Sequence, residues 1–295
     1  MNKESTGEPL CSPLRYPGGK AFLCDYMERF LQYNNLRPKL FVEPFAGGAS
    51  VALYLLGKGL IDKIALYDIN PLITSFWITV FKDGTWLRDK VCKADITLDE
   101  WIRLHDLPLN GHRVNAWKCL FLNRTSFSGI MASEAGPLGG KSQASKFKID
   151  CRFYRDTIQV RLKELWKYRN LIENIDVAEW QETINRYAGL PDKQQKGLFI
   201  YLDPPFFHKA ERLYQYYFKP EDHESVICRL SKLNLPWLLS YDHCPEAIAL
   251  LRKYHLRYQL MQVCYSSSAN HHQRDIKKEI IASNMPLMKG TIKCQ

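Results

Sequence analysis

The segment LFIYLDPPFFHKA, residues 198–210, joins an apolar run to an aspartate, two prolines and two phenylalanines. The five residues before Asp203 can form a buried strand, which predicts a carboxylate at a strand end with apolar walls. Pro204 and Pro205 restrict φ and have no N–H, so their carbonyl oxygens are acceptors at a fixed place. Phe206 adds an aromatic face beside them. Together these residues can hold a primary amine, which carries two N–H donors.

The amine that fits this arrangement is the exocyclic amine of a nucleobase stacked on Phe206. Such an amine is a poor nucleophile, because its lone pair is delocalised into the ring. Two acceptors that draw both hydrogens favour a more tetrahedral nitrogen, whose exposed lone pair can attack a methylsulfonium in line. The alternative is a proline-rich strand exit with an exposed acid, which leaves the aromatic neighbour unexplained.

A second acidic pair flanks a glycine-bearing turn. Glu43 ends the segment KLFVE, PFAGGAS follows it, and Asp68 lies 21 residues after Gly47. That spacing is close to the ~20 residues expected for an acid that binds ribose hydroxyls. The turn is not G-x-G-x-x-G, and a carboxylate beside it disfavours a pyrophosphate and favours a cationic ligand. The pattern indicates S-adenosylmethionine rather than NAD; an acid that only caps the following helix is the alternative.

These acids follow strands that alternate with helices. We predict strands at 39–43, 63–70, 198–205 and 236–242, and helices at 51–56, 223–233 and 245–254. Strand, glycine turn, helix and strand form a βαβ unit of an α/β fold with a parallel sheet. The C-terminal stretch suggests a closing hairpin. Since ligands bind at the carboxyl ends of parallel strands, the acids are expected at one edge of the sheet.

The middle of the chain differs in charge. The whole chain has a net charge of +10, and between Trp101 and Asn170 there are 13 Lys and Arg against 5 Asp and Glu. A basic face concentrated in this part predicts a polyanionic partner, first of all nucleic acid. A solvated face without a partner is the alternative.

Other classes of protein are disfavoured. The nine cysteines are scattered and are expected to be reduced thiols. The segment NHHQR lacks the carboxylates of a metal site, so no metal is predicted. The N-terminus has no secretory signal and no apolar run is long enough for a membrane span. We therefore expect a soluble cytoplasmic protein.

The segment LRYPGGK, residues 14–20, is a rigid turn that could hold Tyr16 and Lys20 against a ligand. Read alone, such a segment is more often just an ordinary turn.

Taken together, five motifs occur in a recognisable order and spacing: RYPGGK, FVEPFAGGASV, YDIN, LDPPF, and YSSSAN with KKEIIASN. By these motifs the chain resembles the Dam-like, D12-class DNA adenine-N6 methyltransferases over nearly its whole length. The resemblance implies an α/β, Rossmann-like S-adenosylmethionine-dependent methyltransferase core, formed by residues 1–75 and 171–295. It also implies an inserted, mainly helical DNA target-recognition domain at residues 76–170.

The implied activity is site-specific transfer of a methyl group from S-adenosylmethionine to the N6 amine of an adenine flipped out of duplex DNA. Two alternatives stay open: transfer to cytosine N4, whose amine has the same two donors, and a catalytically silent DNA-binding protein of the same fold. Double-stranded DNA is the implied partner, with a companion restriction endonuclease as a further one. The expected state is a monomer or a weak dimer on DNA, without a membrane.

Residue roles follow from the resemblance. The segment 41–48 would surround the methionine end of the cofactor, Asp68 would hold the ribose and Asp176 would meet the adenine. The family usually has a tyrosine where this chain has Phe206, so stacking is kept and a hydroxyl is lost. The implied catalytic residues are Asp203, Pro204, Pro205 and Phe206. The implied cofactor-binding residues are Tyr16, Lys20, Phe41, Glu43, Pro44, Phe45, Ala46, Gly47, Gly48, Asp68, Ile69, Asp176, Val177 and Asp203.

The segment CLFLNRTSFSGI, residues 119–130, resembles the recognition segment of the family. Arg124 is a candidate for reading guanine edges, and the basic residues that follow it would mostly contact phosphates. For the lysines a solvated role is the alternative. The predicted DNA-binding residues are Asn123, Arg124, Lys141, Lys146, Lys148, Arg152 and Arg155.

Overall fold

The computed structural model describes residues 8–15, 20, 23–132, 134–208, 216–264, 276–288 and 293–294. These residues contain one eight-stranded sheet in the order β3-β2-β1-β4-β5-β7-β6-β8. The strands β3, β2, β1, β4 and β5 are parallel, and β7 is antiparallel to both β5 and β6. The bounds are β1 Leu40–Glu43, β2 Lys63–Asp68, β3 Ile172–Val177, β4 Leu198–Leu202, β5 Trp237–Asp242, β6 Tyr258–Cys264, β7 Ile276–Ser283 and β8 Lys293–Cys294.

The helices of the described residues cover both faces of this sheet. Their bounds are α1 Cys24–Tyr33, α2 Ser50–Gly57, α3 Pro71–Lys82, α4 Gly84–Lys93, α5 Leu98–Asp106, α6 His112–Thr125, α7 Arg155–Lys167, α8 Trp180–Ala188, α9 Asp192–Gln195, α10 Pro220–Ser231 and α11 Pro245–Lys253. The predicted α/β fold with a parallel sheet and a C-terminal hairpin is confirmed. None of the helices in the described part of the chain is long and apolar enough to cross a membrane.

Alternating side chains of the strands divide the core into two layers. On β4, Phe199 and Tyr201 pack with α1 to α7, whereas Ile200 and Leu202 pack with α8, α10 and α11. All five residues of β4 are buried, as expected for a strand at the centre of a parallel sheet that is covered on both faces.

Two strands end earlier than predicted, for local reasons. β4 ends at Leu202, because Pro204 and Pro205 have no N–H to continue the ladder. β2 ends at Asp68, whose carboxylate accepts the N–H of Asn70 at 2.9 Å and turns the chain into α3. Asn70 in turn caps α3, since its side chain accepts the N–H of Leu72 at 2.9 Å.

The predicted boundary between residues 75 and 76 falls inside α3. Helices α4 to α7 of the predicted insert share one hydrophobic core with α1 to α3 and with the sheet, and buried residues such as Phe121 and Ile158 contribute to it. The basic segment is therefore packed on one face of the sheet. Its role as a separate recognition domain stays a prediction.

The strand order places a topological switch point beside β1. The chain goes from β1 to its neighbour β2 on one side, and β4 and β5 are added on the other side. At such a point the loops after neighbouring strands diverge and leave a crevice at the carboxyl ends. Glu43, Asp68, Asp203 and Asp242 lie at or directly after the carboxyl ends of β1, β2, β4 and β5.

Candidate active site

A cavity of about 340 Å³ lies at this switch point. Segments from both halves of the chain form its walls, and its charged lining residues are three acids and one lysine. The lining residues are Lys20, Glu43, Phe45, Ala46, Gly47, Gly48, Ala49, Ser50, Val51, Asp68, Ile69, Asn70, Gly129, Met131, Ala132, Tyr201, Asp203, Pro205, Tyr216, Tyr217 and Phe218.

The glycine turn is held in place from three sides. The N–H of Gly47 donates to Asp68 Oδ2 at 2.9 Å, and its carbonyl accepts the indole N–H of Trp77 at 2.9 Å. The N–H of Ala46 donates to the carbonyl of Tyr67 at 2.8 Å. Gly47 has a φ of 44°, in the left-handed region that favours glycine. The turn therefore presents a fixed backbone to the cavity.

Glu43 and Asp68 are buried acids whose oxygens accept backbone N–H groups. Glu43 Oε1 accepts the N–H of Ala52, in the first turn of α2, at 2.9 Å. Glu43 therefore also caps a helix, which was the alternative considered for it. Burial raises the pKa of Glu43 to about 8 and that of Asp68 to about 6, although the backbone N–H groups oppose the shift.

Asp203 lies in the same cavity and is bound from two directions. Its Oδ1 accepts the hydroxyl hydrogen of Ser240 at 2.9 Å and lies 3.2 Å from Nζ of Lys20. The oxygen of Ser240 is 2.9 Å from the hydroxyl of Tyr201, which supports it from behind. Burial raises the pKa of Asp203, while Lys20 and Ser240 hold the carboxylate form and oppose that rise.

The residues after Asp203 are placed by the strand ends. Pro205 lines the cavity, and the ring centroid of Phe206 lies 5.0 Å from Nζ of Lys20. The N–H of Phe207 donates to Asp242 Oδ1 at 3.1 Å, which ties the chain to the end of β5. Among the described residues, no hydrogen bond reaches the carbonyl of Pro204.

Several predicted cofactor residues lie outside the cavity lining. Phe41 is fully buried and stacks on Phe199 at 5.6 Å between ring centroids, so it supports the wall from the core. Asp176 and Val177 are exposed at the end of β3, where they pair with Tyr67 and Asp68 of β2. Pro44 is not in the lining either, and Tyr16 is outside the described residues.

The sequence reasoning missed two wall segments. Gly129, Met131 and Ala132 follow α6, and Tyr216, Tyr217 and Phe218 precede α10. The aromatic cluster QYYF after the proline pair was the available signal for the second segment, because aromatic side chains beside a base-binding site can stack on bases. No comparable signal marks the first segment.

The side chains of Asn123 and Arg124 are buried. Asn123 accepts the N–H of Arg15 at 2.7 Å and donates to the carbonyls of Arg15 at 2.9 Å and Gly129 at 3.1 Å. Arg124 donates to the carbonyl of Pro13. Both side chains hold the N-terminal segment, so the predicted contact with DNA is corrected: neither presents its polar atoms to a DNA surface.

The other predicted DNA residues divide into two groups. Arg155 donates to the carbonyls of Cys92 at 2.5 Å and Ala94 at 2.7 Å, so its guanidinium caps the end of α4 instead of facing a phosphate. The remaining four are exposed and keep their charge on the surface; they are Lys141, Lys146, Lys148 and Arg152. Lys148 also donates to the carbonyl of Gln143.

Comparison with known proteins agrees with this geometry. The sequence is 23% identical over 212 residues to Type II methyltransferase M.MjaIII of Methanocaldococcus jannaschii. The aligned segment covers 65% of this chain and 68% of that protein. Residues 16–274 match the family of D12 class N6 adenine-specific DNA methyltransferases. This match contains the cavity residues from Lys20 to Phe218. The chain therefore belongs to the D12 class N6 adenine-specific DNA methyltransferase family and methylates adenine in DNA.

Proposed function

We propose that the methyl donor is S-adenosylmethionine and that Asp203 holds the N6 amine of an adenine flipped out of duplex DNA. The observation that carries the proposal is the shared cavity: Asp203 lines the same 340 Å³ space as Glu43, Asp68 and the glycine turn. A donor site on β1 and β2 and an acceptor site on β4 are thereby close enough for direct transfer.

The lining residues suit this donor. Two carboxylates, of Asp68 and Asp203, face one ammonium, of Lys20, and the carboxyl group of Glu43, whose pKa burial raises to about 8, can ionise beside a cation, so the cavity favours a cationic ligand. Phe45, Ile69 and Phe218 add the apolar surface that an adenine ring needs. The volume lies within the range of small-molecule sites, about 300–1,000 Å³. When bound, S-adenosylmethionine supplies an electrophilic methyl group on a sulfonium.

On the acceptor side, Ser240 and Lys20 both contact Oδ1 of Asp203, and within the described ranges of the chain no hydrogen bond is made to Oδ2, which can accept from a donor that enters the cavity. One N–H of the target amine donates to Oδ2 and the other to the carbonyl of Pro204. The lone pair of the nitrogen then points away from both acceptors and would form the bond to the methyl carbon while the bond between that carbon and sulfur breaks. The sulfur would leave as a neutral thioether, and the methylated nitrogen would then give up one proton to water. The carboxylate also stabilises the positive charge that develops on the nitrogen.

An adenine inside a duplex must leave the stack to reach this cavity, at a cost of a few kcal/mol. Tyr216 and Tyr217 are partly exposed at the mouth of the cavity and offer stacking surface for the extruded base. Phe127, next to the wall segment 129–132, is 67% exposed and adds a further aromatic side chain on this side. The exposed Lys141, Lys146, Lys148 and Arg152 bind phosphates, and residues 76–170 supply target recognition.

We also propose that the enzyme works as a monomer or weak dimer on DNA beside a companion restriction endonuclease. The name of the similar protein, Type II methyltransferase, supports this context. Sedimentation with and without DNA tests the oligomeric state, and a tetramer would contradict it.

The test of the proposed function is a transfer assay with methyl-labelled S-adenosylmethionine and duplex DNA, followed by mass spectrometry of the nucleosides. We expect label in N6-methyladenine. Label in N4-methylcytosine, or none with DNA and cofactor both bound, would contradict the assignment of the site.

A further inference from the structure

A second buried carboxylate lies beside the catalytic ion pair. Nζ of Lys20 is 3.2 Å from Asp203 Oδ1 and 3.7 Å from Glu279 Oε2. Lys20 and Glu279 are 3% and 4% exposed. Glu279 comes from β7, where it pairs with Asp242 of β5. Unlike Lys20 and Asp203, it does not line the cavity.

One ammonium thus serves more than one carboxylate. Burial alone lowers the pKa of Lys20, but Asp203, Glu279 and Asp242 together raise it above its ordinary value, so the side chain stays an ammonium ion. The ammonium of Lys20 can pair with either of two carboxylates. Asp203 lines the cavity, whereas Glu279 does not.

We propose that Glu279 is a positioning residue for methyl transfer, which retains the Lys20 ammonium when Asp203 turns to the target amine. The proposal rests on the function proposed above, in which Asp203 receives that amine.

The physical reason is competition for Asp203. Lys20 donates to Oδ1 of Asp203 and the incoming amine to Oδ2, so both draw on the charge and the orientation of one carboxylate, and the charged donor forms the stronger hydrogen bond. A buried ammonium that loses its anionic partner costs several kcal/mol, so without a second anion Lys20 would keep Asp203 oriented toward itself and weaken its hydrogen bond to the amine. Glu279 is a second anionic partner that the ammonium of Lys20 can reach with only a small movement. The ion pair can then be exchanged without exposing a buried charge.

The same arrangement sets the ionisation of Asp203, which has to be a carboxylate to accept the amine. The charged and titratable groups around Asp203 are Lys20, Glu43, Asp242, Tyr201 and Tyr241. Without the charge of Glu279, the ammonium of Lys20 pairs more strongly with Asp203. The carboxylate form of Asp203 is then favoured, but it is less available to the amine.

The test is Glu279→Gln in the full chain, measured as single-turnover transfer at saturating DNA and S-adenosylmethionine. We expect the rate to fall about tenfold, because a stronger pairing of Lys20 with Asp203 equivalent to one pKa unit corresponds to a factor of ten. The acidic limb of the rate–pH profile should move to lower pH, and the dissociation constants for DNA and cofactor should stay within about twofold, well below one such unit. Lys20→Met should move the same limb to higher pH, because Asp203 loses its cation.

Glu173→Gln is the matched control, because Glu173 pairs with Lys63 at 2.7 Å on the exposed edge strand β3, away from the cavity. It should leave the rate and the pH profile unchanged. If Glu279→Gln does not fold, Glu279→Asp, which keeps the charge with a shorter reach, should shift the limb in the same direction by a smaller amount.

The outcomes separate the two proposals. Wild-type protein that binds DNA and cofactor but transfers no methyl group contradicts the proposed function. An active wild type with unchanged rate and acidic limb in the Glu279 variants contradicts the positioning role alone. A variant whose defect is confined to cofactor affinity also contradicts it and places Glu279 in donor binding.

Discussion

The acidic residues of the site are buried, although burial disfavours the charged form of a carboxyl group. Glu43, Asp68 and Asp203 line one cavity, and each has at least one oxygen bound by an N–H or O–H group of the protein. These hydrogen bonds fix the direction of each carboxylate, while burial raises its pKa. Carboxylates held in this way are positioned before a ligand arrives, which is where the acceleration by positioning originates.

The first prediction concerns Asp203→Ala. Removal of the carboxylate deletes the acceptor of the target amine and the charge that stabilises the developing cation, so single-turnover transfer should fall by on the order of 10²–10³-fold or more. DNA affinity should change little, because the exposed basic residues carry it. Single-turnover rates and a DNA titration of the same preparation check both parts. Turnover near the wild-type value would refute the mechanism.

The second prediction concerns the pH dependence of stability through Glu43. In the folded protein Glu43 keeps its proton up to about pH 8, whereas an unperturbed glutamate loses it near 4.5. Since the folded state then holds more protons than the unfolded state, the free energy of unfolding should fall as the pH rises from about 4.5 to about 8.

Glu43→Gln keeps an oxygen for the N–H of Ala52 and removes the titration. Thermal unfolding without cofactor should therefore show a smaller decrease in midpoint across this pH range in the variant than in the wild type. Equal slopes would show that Glu43 is ionised in the folded protein.

At the scale of elements, the cavity depends on contacts between segments that are far apart in the chain. Asn123, at the end of α6, binds both the backbone of Arg15, shortly before Lys20, and that of Gly129, in a wall segment. A Cβ atom at Gly129 would lie 2.3 Å from the carbonyl of Arg15, so glycine is required where the two segments touch. One amide side chain thus joins two walls of the site.

The third prediction is that Asn123→Ala lowers both stability and transfer. It leaves the partly buried backbone groups of Arg15 and the buried carbonyl of Gly129 without this partner, which costs up to roughly 1–3 kcal/mol for each group. The unfolding midpoint should therefore fall in the absence of DNA. Asp150→Ala, a change at an exposed loop residue, serves as the control. An unchanged midpoint combined with weaker DNA binding would instead restore Asn123 to the DNA interface.

The same elements show how far the sequence could predict the structure. The strands that end at or directly before Glu43, Asp68 and Asp203 were predictable, because buried β-prone runs followed by acids have a local pattern. The use of Asn123 was not, because its partner Arg15 lies 108 residues away and only the tertiary fold brings them together. The wall segment after α6 was missed for the same reason, because its place at the cavity is decided by packing; the segment before α10 had a local signal in its aromatic residues, but only the fold shows that they line the cavity.

For the whole molecule, the charge is divided in a way that fits a DNA-modifying enzyme. The chain carries a net +10, yet the cavity is lined by three acids and one lysine. A positive exterior attracts the polyanionic duplex, and an acidic interior favours cationic groups over the phosphates themselves. The DNA phosphate backbone is therefore expected to bind the exterior of the protein. The cavity favours a base together with a cationic methyl donor.

The fourth prediction tests the exterior field. Lys146 is exposed within the basic region, and its ammonium should bind a phosphate without reading sequence. Lys146→Ala should weaken binding to every duplex alike and reduce the slope of log affinity against log salt concentration by about one. Fluorescence titrations at several salt concentrations, with one duplex that contains the target sequence and one that does not, measure both quantities.

Lys193→Ala, on the exposed helix α9 outside the basic region, is the control and should keep the wild-type slope. An unchanged slope in Lys146→Ala, or a loss restricted to the target duplex, would show that this lysine is not a phosphate contact, and the DNA path would then have to be drawn over another part of the surface.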